Sequence, residues 1–277
     1  MELKQEVKDI CVQIRKDIIN MVYDAGSGHP GGSLSGVEIM AALYFTDLFR
    51  CDTMNPDWKE RDRFVLSKGH ASPLIYSVLC RKGFFREEEL KTFRKMGTIL
   101  QGHPHRQQVP GLDSSGGSLG QGLSIANGMA LGYRMQGIEG RCYCLLGDGE
   151  IQEGQVWEAA MTAAQQKLDH VCAIVDNNHV QLDGMTADVC CVEPVADKWR
   201  SFGWNVITVD GHDLDALYEA YRSAGETKGR PTVLVAETIK GKGVSFMEGQ
   251  AGWHGAVPNE EQYKQAMTEI EGGGKVG

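Results

Sequence analysis

The sequence predicts an α/β fold, a parallel sheet with helices on both faces. Short apolar strand-like runs alternate along the chain with segments of helical periodicity. The runs are apolar throughout, as expected of strands covered on both sides, and crossover helices between them imply parallel pairing. With 35 glycines and 42% hydrophobic residues in 277, the chain has more glycine than the ~7% norm, no Gly-X-Y period and an ordinary apolar content. A globular protein with many glycine-dependent turns follows.

Val7, Ile10, Cys11, Ile14, Ile18, Met21 and Val22 recur at three- and four-residue steps, the stripe of an amphipathic helix that should end near Gly26. A strand over 63–67 leads into a helix beginning near His70, and 120–136 reads as a glycine-rich buried helix. Strands follow at 142–146, 171–175, 205–209 and 232–237, separated by helices over 153–167, 197–202 and 214–223. Residues 1–271 form one expected domain, and 272–277 an expected flexible tail.

A net charge of −9 and a pI near 5.4 give no electrostatic footprint for nucleic acid or an anionic membrane. No run approaches the ~18 apolar residues of a membrane span, and the N-terminus alternates charged with apolar residues, so the expected compartment is the cytoplasm. The eight cysteines contain no C-x-x-C and read as reduced, buried residues without a zinc role.

Two glycine motifs carry little. Gly26-Ser-Gly28-His-Pro-Gly31 fits a dinucleotide fingerprint but follows a helix where a strand is required. Gly116-Gly-Ser118-Leu-Gly120 fits a nucleophile elbow, but the residues before it make a poor buried strand. The strong signal is Gly147-Asp148-Gly149 at the end of one strand and Asp176-Asn177-Asn178 at the end of the next. Ligands of open parallel sheets bind beyond the carboxyl ends of the strands, so these two turns share an edge. Asp148 and Asn178 offer hard oxygens suited to Mg²⁺ or Ca²⁺ with a phosphorylated ligand completing the shell. The glycines beside Asp148 let the backbone approach a diphosphate.

These residues resemble the thiamine diphosphate motif. Together with Ser27–Gly31, Ser67-Lys68-Gly69-His70-Ala71-Ser72, Gly102-His103-Pro104, Gly116–Gly122 and His254-Gly255-Ala256, in that order, the chain resembles the transketolase family, and specifically its first, diphosphate-binding domain. The resemblance implies a thiamine diphosphate-binding fold. It also implies the N-terminal subunit of a split transketolase, whose partner is a C-terminal subunit with the pyrimidine-binding and C-terminal domains, by family habit an α2β2 assembly. The activity implied is transfer of a two-carbon ketol unit from a ketose phosphate to an aldose. Dihydroxyacetone-forming and deoxyxylulose-phosphate-forming enzymes, or a non-catalytic scaffold, are the alternatives.

By resemblance, Asp148, Asn178 and the backbone carbonyl of Val180 coordinate Mg²⁺, with Ca²⁺ or Mn²⁺ as substitutes. His70, Gly117, Ser118, Leu119, Gly149 and Asn178 line the cofactor. His254 reaches both diphosphate and substrate, His29 and His103 contact substrate near the reacting carbon, and Glu153 lies at the subunit interface. The family's activating glutamate belongs to the pyrimidine-binding domain, so this chain alone is expected to be inactive. Several imidazoles, as donors and acceptors titrating near neutral pH, suit a reaction that builds charge on an oxygen and removes a hydroxyl proton. His105, His170, His179 and His212 are assigned structural roles. His179 and Glu150-Ile151-Gln152 depart from the family pattern.

Overall fold

A computed structural model describes residues 5–272. The expected tail therefore falls, from residue 273 on, outside the described residues. The elements in chain order are α1 (Gln5–Ala25), α2 (Pro30–Leu34), α3 (Val37–Tyr44), β1 (Arg63–Leu66), α4 (Ser72–Lys82), α5 (Gly122–Gln136), β2 (Cys142–Gly147), α6 (Gly154–Gln165), β3 (Val171–Asn177), α7 (Thr186–Val189), α8 (Val195–Ser201), β4 (Asn205–Asp210), α9 (Leu214–Glu226), β5 (Thr232–Glu237) and α10 (Glu260–Glu271). Among the described residues no helix is long and apolar enough to cross a membrane.

All five strands pair in parallel in the order β1-β2-β3-β5-β4. The side-chain period of two divides each apolar run between two cores. Tyr143, Leu145, Cys172, Ile174, Leu234 and Ala236 face α1, α3, α4 and α9. Cys142, Cys144, Leu146, Val171, Ala173, Val175, Val233 and Val235 face α5, α6 and α8. Right-handed crossovers explain the division. The chain advances from β1 through β3 to β4 with α5, α6 and α8 on one face, then steps back to β5 through α9 on the other. The reversal beside β3 leaves a crevice at the carboxyl edge of the sheet, where ligands of such folds bind.

Every predicted strand and helix is present, with ends shifted by a few residues. Four helices among the described residues escaped the sequence reading, the short α2 and α7 and the longer α3 and α10. All eight residues of α3 are buried, so it has no polar face to give a period. α10 opens with a capping box in which Asn259 accepts from the Gln262 amide and Gln262 from the Asn259 amide, a signal present in the sequence. The cysteine expectation needs correcting, since Cys190 and Cys191 are exposed just beyond the short helix α7.

The start of β1 is fixed by one carboxylate. Asp113, buried, accepts from Arg61 at 3.0 and 2.7 Å, from Arg63 at 3.0 Å and from the Phe64 amide at 2.8 Å. Removing it strands the buried Arg61 guanidinium, a change that costs about 3–5 kcal/mol. Asp113→Ala is expected to lose that much stability in urea titration, and a loss below ~1 kcal/mol would contradict this role.

Candidate active site

Loops leaving β1, β2, β3 and β5 converge at the carboxyl edge around a cavity of about 490 Å³. Its walls include His70, His103, Gly117, Leu119, Asp148, Gly149, Glu153, Asn178, Val180 and His254, all singled out by sequence, together with Lys68 and Lys240, which were not. Ser118 lies outside this lining, exposed. His29 joins through its neighbours, its ring centroid 5.4 Å from those of both His70 and His254, which stack on each other at 4.9 Å.

Asp148 is buried, its carboxylate accepting from the backbone amides of Gly149 at 2.8 Å and His179 at 2.5 Å. Burial and the nearby Asp176 charge push its pKa up to about 6. It is thus a buried negative charge short of positive partners, which a divalent cation would relieve. Asn178 stands beside it, its Oδ1 accepting from the Val180 amide at 3.1 Å. Among the described residues no cluster of three His, Cys, Asp or Glu side chains is placed to hold a metal. One carboxylate, one amide oxygen and a carbonyl fit a hard cation that takes its remaining ligands from phosphate and water.

The Val180 carbonyl, expected as a metal ligand, accepts from Lys240 Nζ at 2.9 Å. Its second lone pair is left for a cation. Lys240 Nζ also lies 3.4 Å from the Gln181 carbonyl and 2.9 Å from Nδ1 of His254. Burial and the neighbouring Lys68 pull its pKa down to about 8. Lys68, fully buried, pairs with Asp176 at the end of β3. Two lysines beneath one cavity supply the positive charge that a diphosphate requires. Lys68 follows a strand within a recognised motif, which is the signal that could have found it; Lys240 has no such signal.

Glu150 explains one departure from the family pattern. Buried, it accepts from Ser67 Oγ, from the Gly120 amide at 2.9 Å and from the Gly147 amide at 3.0 Å, tying three loops of the cleft together. His179, the other departure, sits in left-handed backbone with φ 62° and its Nε2 is 3.0 Å from Glu237. The loops also pack tightly on one another. A Cβ on Gly69 would lie 2.7 Å from the Gly117 nitrogen, so the close approach of these two loops requires glycine at 69.

Burial and adjacent positive groups depress all four site histidines. The pKa of His29 falls to about 4 through burial and Arg94, and that of His254 to about 3 through burial and Lys240. His70 is lowered by burial and Lys68, and His103 by burial and Arg94. The expectation of groups titrating near neutral pH is thereby corrected, because a low-dielectric cleft already holding cations disfavours a further one. Glu153 is exposed at the N-cap position just before α6 and its side chain makes no capping bond, so it is not explained as a helix cap. The remaining histidines have protein partners or buried positions: His170 meets the Gly140 carbonyl, His212 meets Glu38, and Nδ1 of His105 is buried without a partner.

Fold and site together define a parallel-sheet domain with a charged cleft at the carboxyl edge of its strands. The family model described as transketolase, thiamine diphosphate binding domain, matches residues 7–272, and the chain belongs to this family. It is 46% identical over 258 residues to the 6-deoxy-6-sulfo-D-fructose transketolase subunit SqwG of Clostridium sp. (strain MSTE9), covering 93% of this chain and 94% of that protein. Against one of the subunits of the apulose-4-phosphate transketolase of Phocaeicola vulgatus it is 43% identical, covering 92% of this chain and 90% of that subunit. Human transketolase is 40% identical over 267 residues, covering 96% of this chain but 42% of that protein. The crystal structure of Pichia stipitis transketolase with sedoheptulose-7-phosphate matches with a TM-score of 0.92 at 32% identity, over 97% of this chain and 41% of that one. The chain thus spans nearly all of the subunit-type relatives and less than half of the full-length ones.

A carboxyl whose pKa folding raises from 3.8 to about 6 weakens the fold once pH exceeds both values. At pH 8 without metal, Asp148→Asn is therefore expected to match the parent's stability or exceed it by up to about 2 kcal/mol. The parent is expected to rise in Tm when Mg²⁺ and thiamine diphosphate are added, and the same variant to lose that rise. A metal-free loss of ~3 kcal/mol or more would show Asp148 to be structural.

Proposed function

We propose that this chain is the cofactor-binding subunit of a two-component transketolase, which moves a two-carbon ketol unit from a ketose phosphate to an aldose with thiamine diphosphate and Mg²⁺. The observation that carries this reading is the grouping of Asp148, Asn178, Lys68, Lys240 and four histidines in and beside one cleft. Asp148, Asn178 and the Val180 carbonyl hold the cation, and Lys68 and Lys240 balance the diphosphate. His70, Gly117, Leu119 and Gly149 line the cofactor, and Ser118 belongs to the same loop. When bound, thiamine diphosphate supplies a nucleophilic carbon and an electron sink for cleaving the bond beside a carbonyl.

His29, His103 and His254 contact the substrate, where imidazole N–H groups stabilise charge developing on oxygen. Glu153, exposed on the cleft rim, faces the partner. Relatives that the chain matches nearly end to end carry the word subunit in their names, which supports a separate partner polypeptide; the α2β2 assembly and the cytoplasmic location are the reading carried over from the family resemblance. Those names also describe substrates bearing a sulfo group or a phosphate, which supports an anionic ketose here.

The test is to purify this chain and the candidate C-terminal polypeptide separately and together, and to assay ketol transfer with Mg²⁺ and thiamine diphosphate. Activity is expected for the mixture and essentially none for either polypeptide alone. Robust turnover by this chain alone would overturn the two-component reading.

A further inference from the structure

We propose that Arg15, Glu38 and His212 form a clamp that holds the 239–242 turn from behind and so positions the Lys240 side chain in the cleft. All three are positioning residues. That Lys240 serves a diphosphate rests on the function proposed above; the clamp itself does not.

The turn comes just after β5, closed by the Lys242 amide on the Ile239 carbonyl at 3.1 Å, and it separates two cavities. On one side Lys240 lines the cleft. On the other lies a cavity of about 570 Å³ whose walls include Arg15, Glu38, His212, Lys242 and Gly243. An open cavity gives the turn no packed side chains on that face, so polar contacts hold it there. They grip both ends. The Ile239 amide donates to Nε2 of His212 at 2.9 Å, and the Lys242 carbonyl accepts from Nε of Arg15 at 3.1 Å. Glu38 ties the two holders together, its carboxylate meeting Arg15 Nη1 at 2.7 Å, Arg15 Nη2 at 2.9 Å and His212 Nδ1 at 2.9 Å.

The direction of each bond follows from what each group can do. A backbone amide only donates, and an imidazole that accepts at Nε2 carries its hydrogen on Nδ1, which donates to Glu38. Burial alone would raise the Glu38 carboxyl, but Arg15 and His212 hold it down at about 2, so it is ionised and accepts from both. Donor meets acceptor at every step, and a buried polar network satisfied in this way rigidifies what it touches. The chain is shaped to receive it. Gly243 is left-handed at φ 92°, and a Cβ there would lie 2.8 Å from Arg15 Nε, so glycine lets the arginine run along the backbone to the Lys242 carbonyl.

The two nitrogens of His212 therefore have separate tasks, and amide side chains reproduce them one at a time. Asparagine places an amide nitrogen near the position of Nδ1 and keeps a donor for Glu38, with nothing for the Ile239 amide. Glutamine places an amide oxygen near the position of Nε2 and keeps the acceptor that Ile239 requires. If the clamp acts through the turn, the two variants must differ in that order, whereas a general structural role treats them alike.

Two measurements on the full chain test this, amide hydrogen exchange over the turn without ligand and calorimetric titration with inorganic pyrophosphate in Mg²⁺. Loss of one hydrogen bond in His212→Asn should speed exchange of the Ile239 amide about 10-fold and weaken pyrophosphate about 5- to 10-fold, while His212→Gln stays within about twofold of the parent in both. Unchanged exchange in His212→Asn, or equal losses in the two variants, would overturn the clamp. Faster exchange with unaltered pyrophosphate affinity would overturn its link to Lys240. Long-range ¹H–¹⁵N spectra of the parent, assigned through the labelled backbone, should show His212 protonated on Nδ1 and bare on Nε2. A protonated Nε2 would overturn the clamp even if neither variant folds. A parent that binds no pyrophosphate would overturn the function proposed above, and exchange and tautomer would still judge the clamp.

Discussion

The site rests on one buried ion pair. Asp176 and Lys68 are 0% and 1% exposed, and Asp176 lies near the end of the central strand β3. Its carboxylate accepts from Lys68 Nζ, from Ser35 Oγ at 2.6 Å and from Thr238 Oγ1. One anion therefore gathers the loop after β1, the junction of α2 and α3, and the loop after β5. Burial alone would raise its pKa, but Lys68 and the two hydroxyls more than offset this and hold it below the ordinary carboxylate value. A pair so fully desolvated stabilises the fold little compared with an apolar replacement, and breaking it leaves a buried charge. What it achieves is placement, fixing a lysine beneath the cavity and a negative charge near Asp148.

The rest of the electrostatics follows from that placement. Asp148 is raised by burial and Asp176, Lys240 is lowered by burial and Lys68, and the histidines are kept neutral by burial and the surrounding cations. The cleft by itself is thus costly, with a carboxylate and two lysines poorly solvated. Cation and diphosphate together would relieve both signs of charge, which is how a binding site stores instability for use on binding.

Much of this was legible in the sequence, and the limits have physical causes. The strands were readable because burial on both faces demands unbroken apolar runs, as in β2 and β3. Asp148 and Asn178 were readable because strand ends with glycine and hard oxygens are scarce outside ligand-binding turns. Helix α3 was not, since burial all round erases periodicity. Lys68, Lys240 and Glu150 were missed because their meaning comes from burial and partners far apart in the chain. The glycines were half understood. Expected to admit a diphosphate and a sugar, several instead admit other loops, Gly69 against Gly117 and Gly122 against Ser67.

The central claim is that the chain recognises a diphosphate and a cation together. Calorimetric titration of the chain with thiamine diphosphate, inorganic pyrophosphate and thiamine, each with and without Mg²⁺, tests it most directly. Thiamine diphosphate and pyrophosphate should compete for one Mg²⁺-dependent site that thiamine neither fills nor blocks. Equal binding of thiamine, or diphosphate binding indifferent to the cation, would contradict the claim.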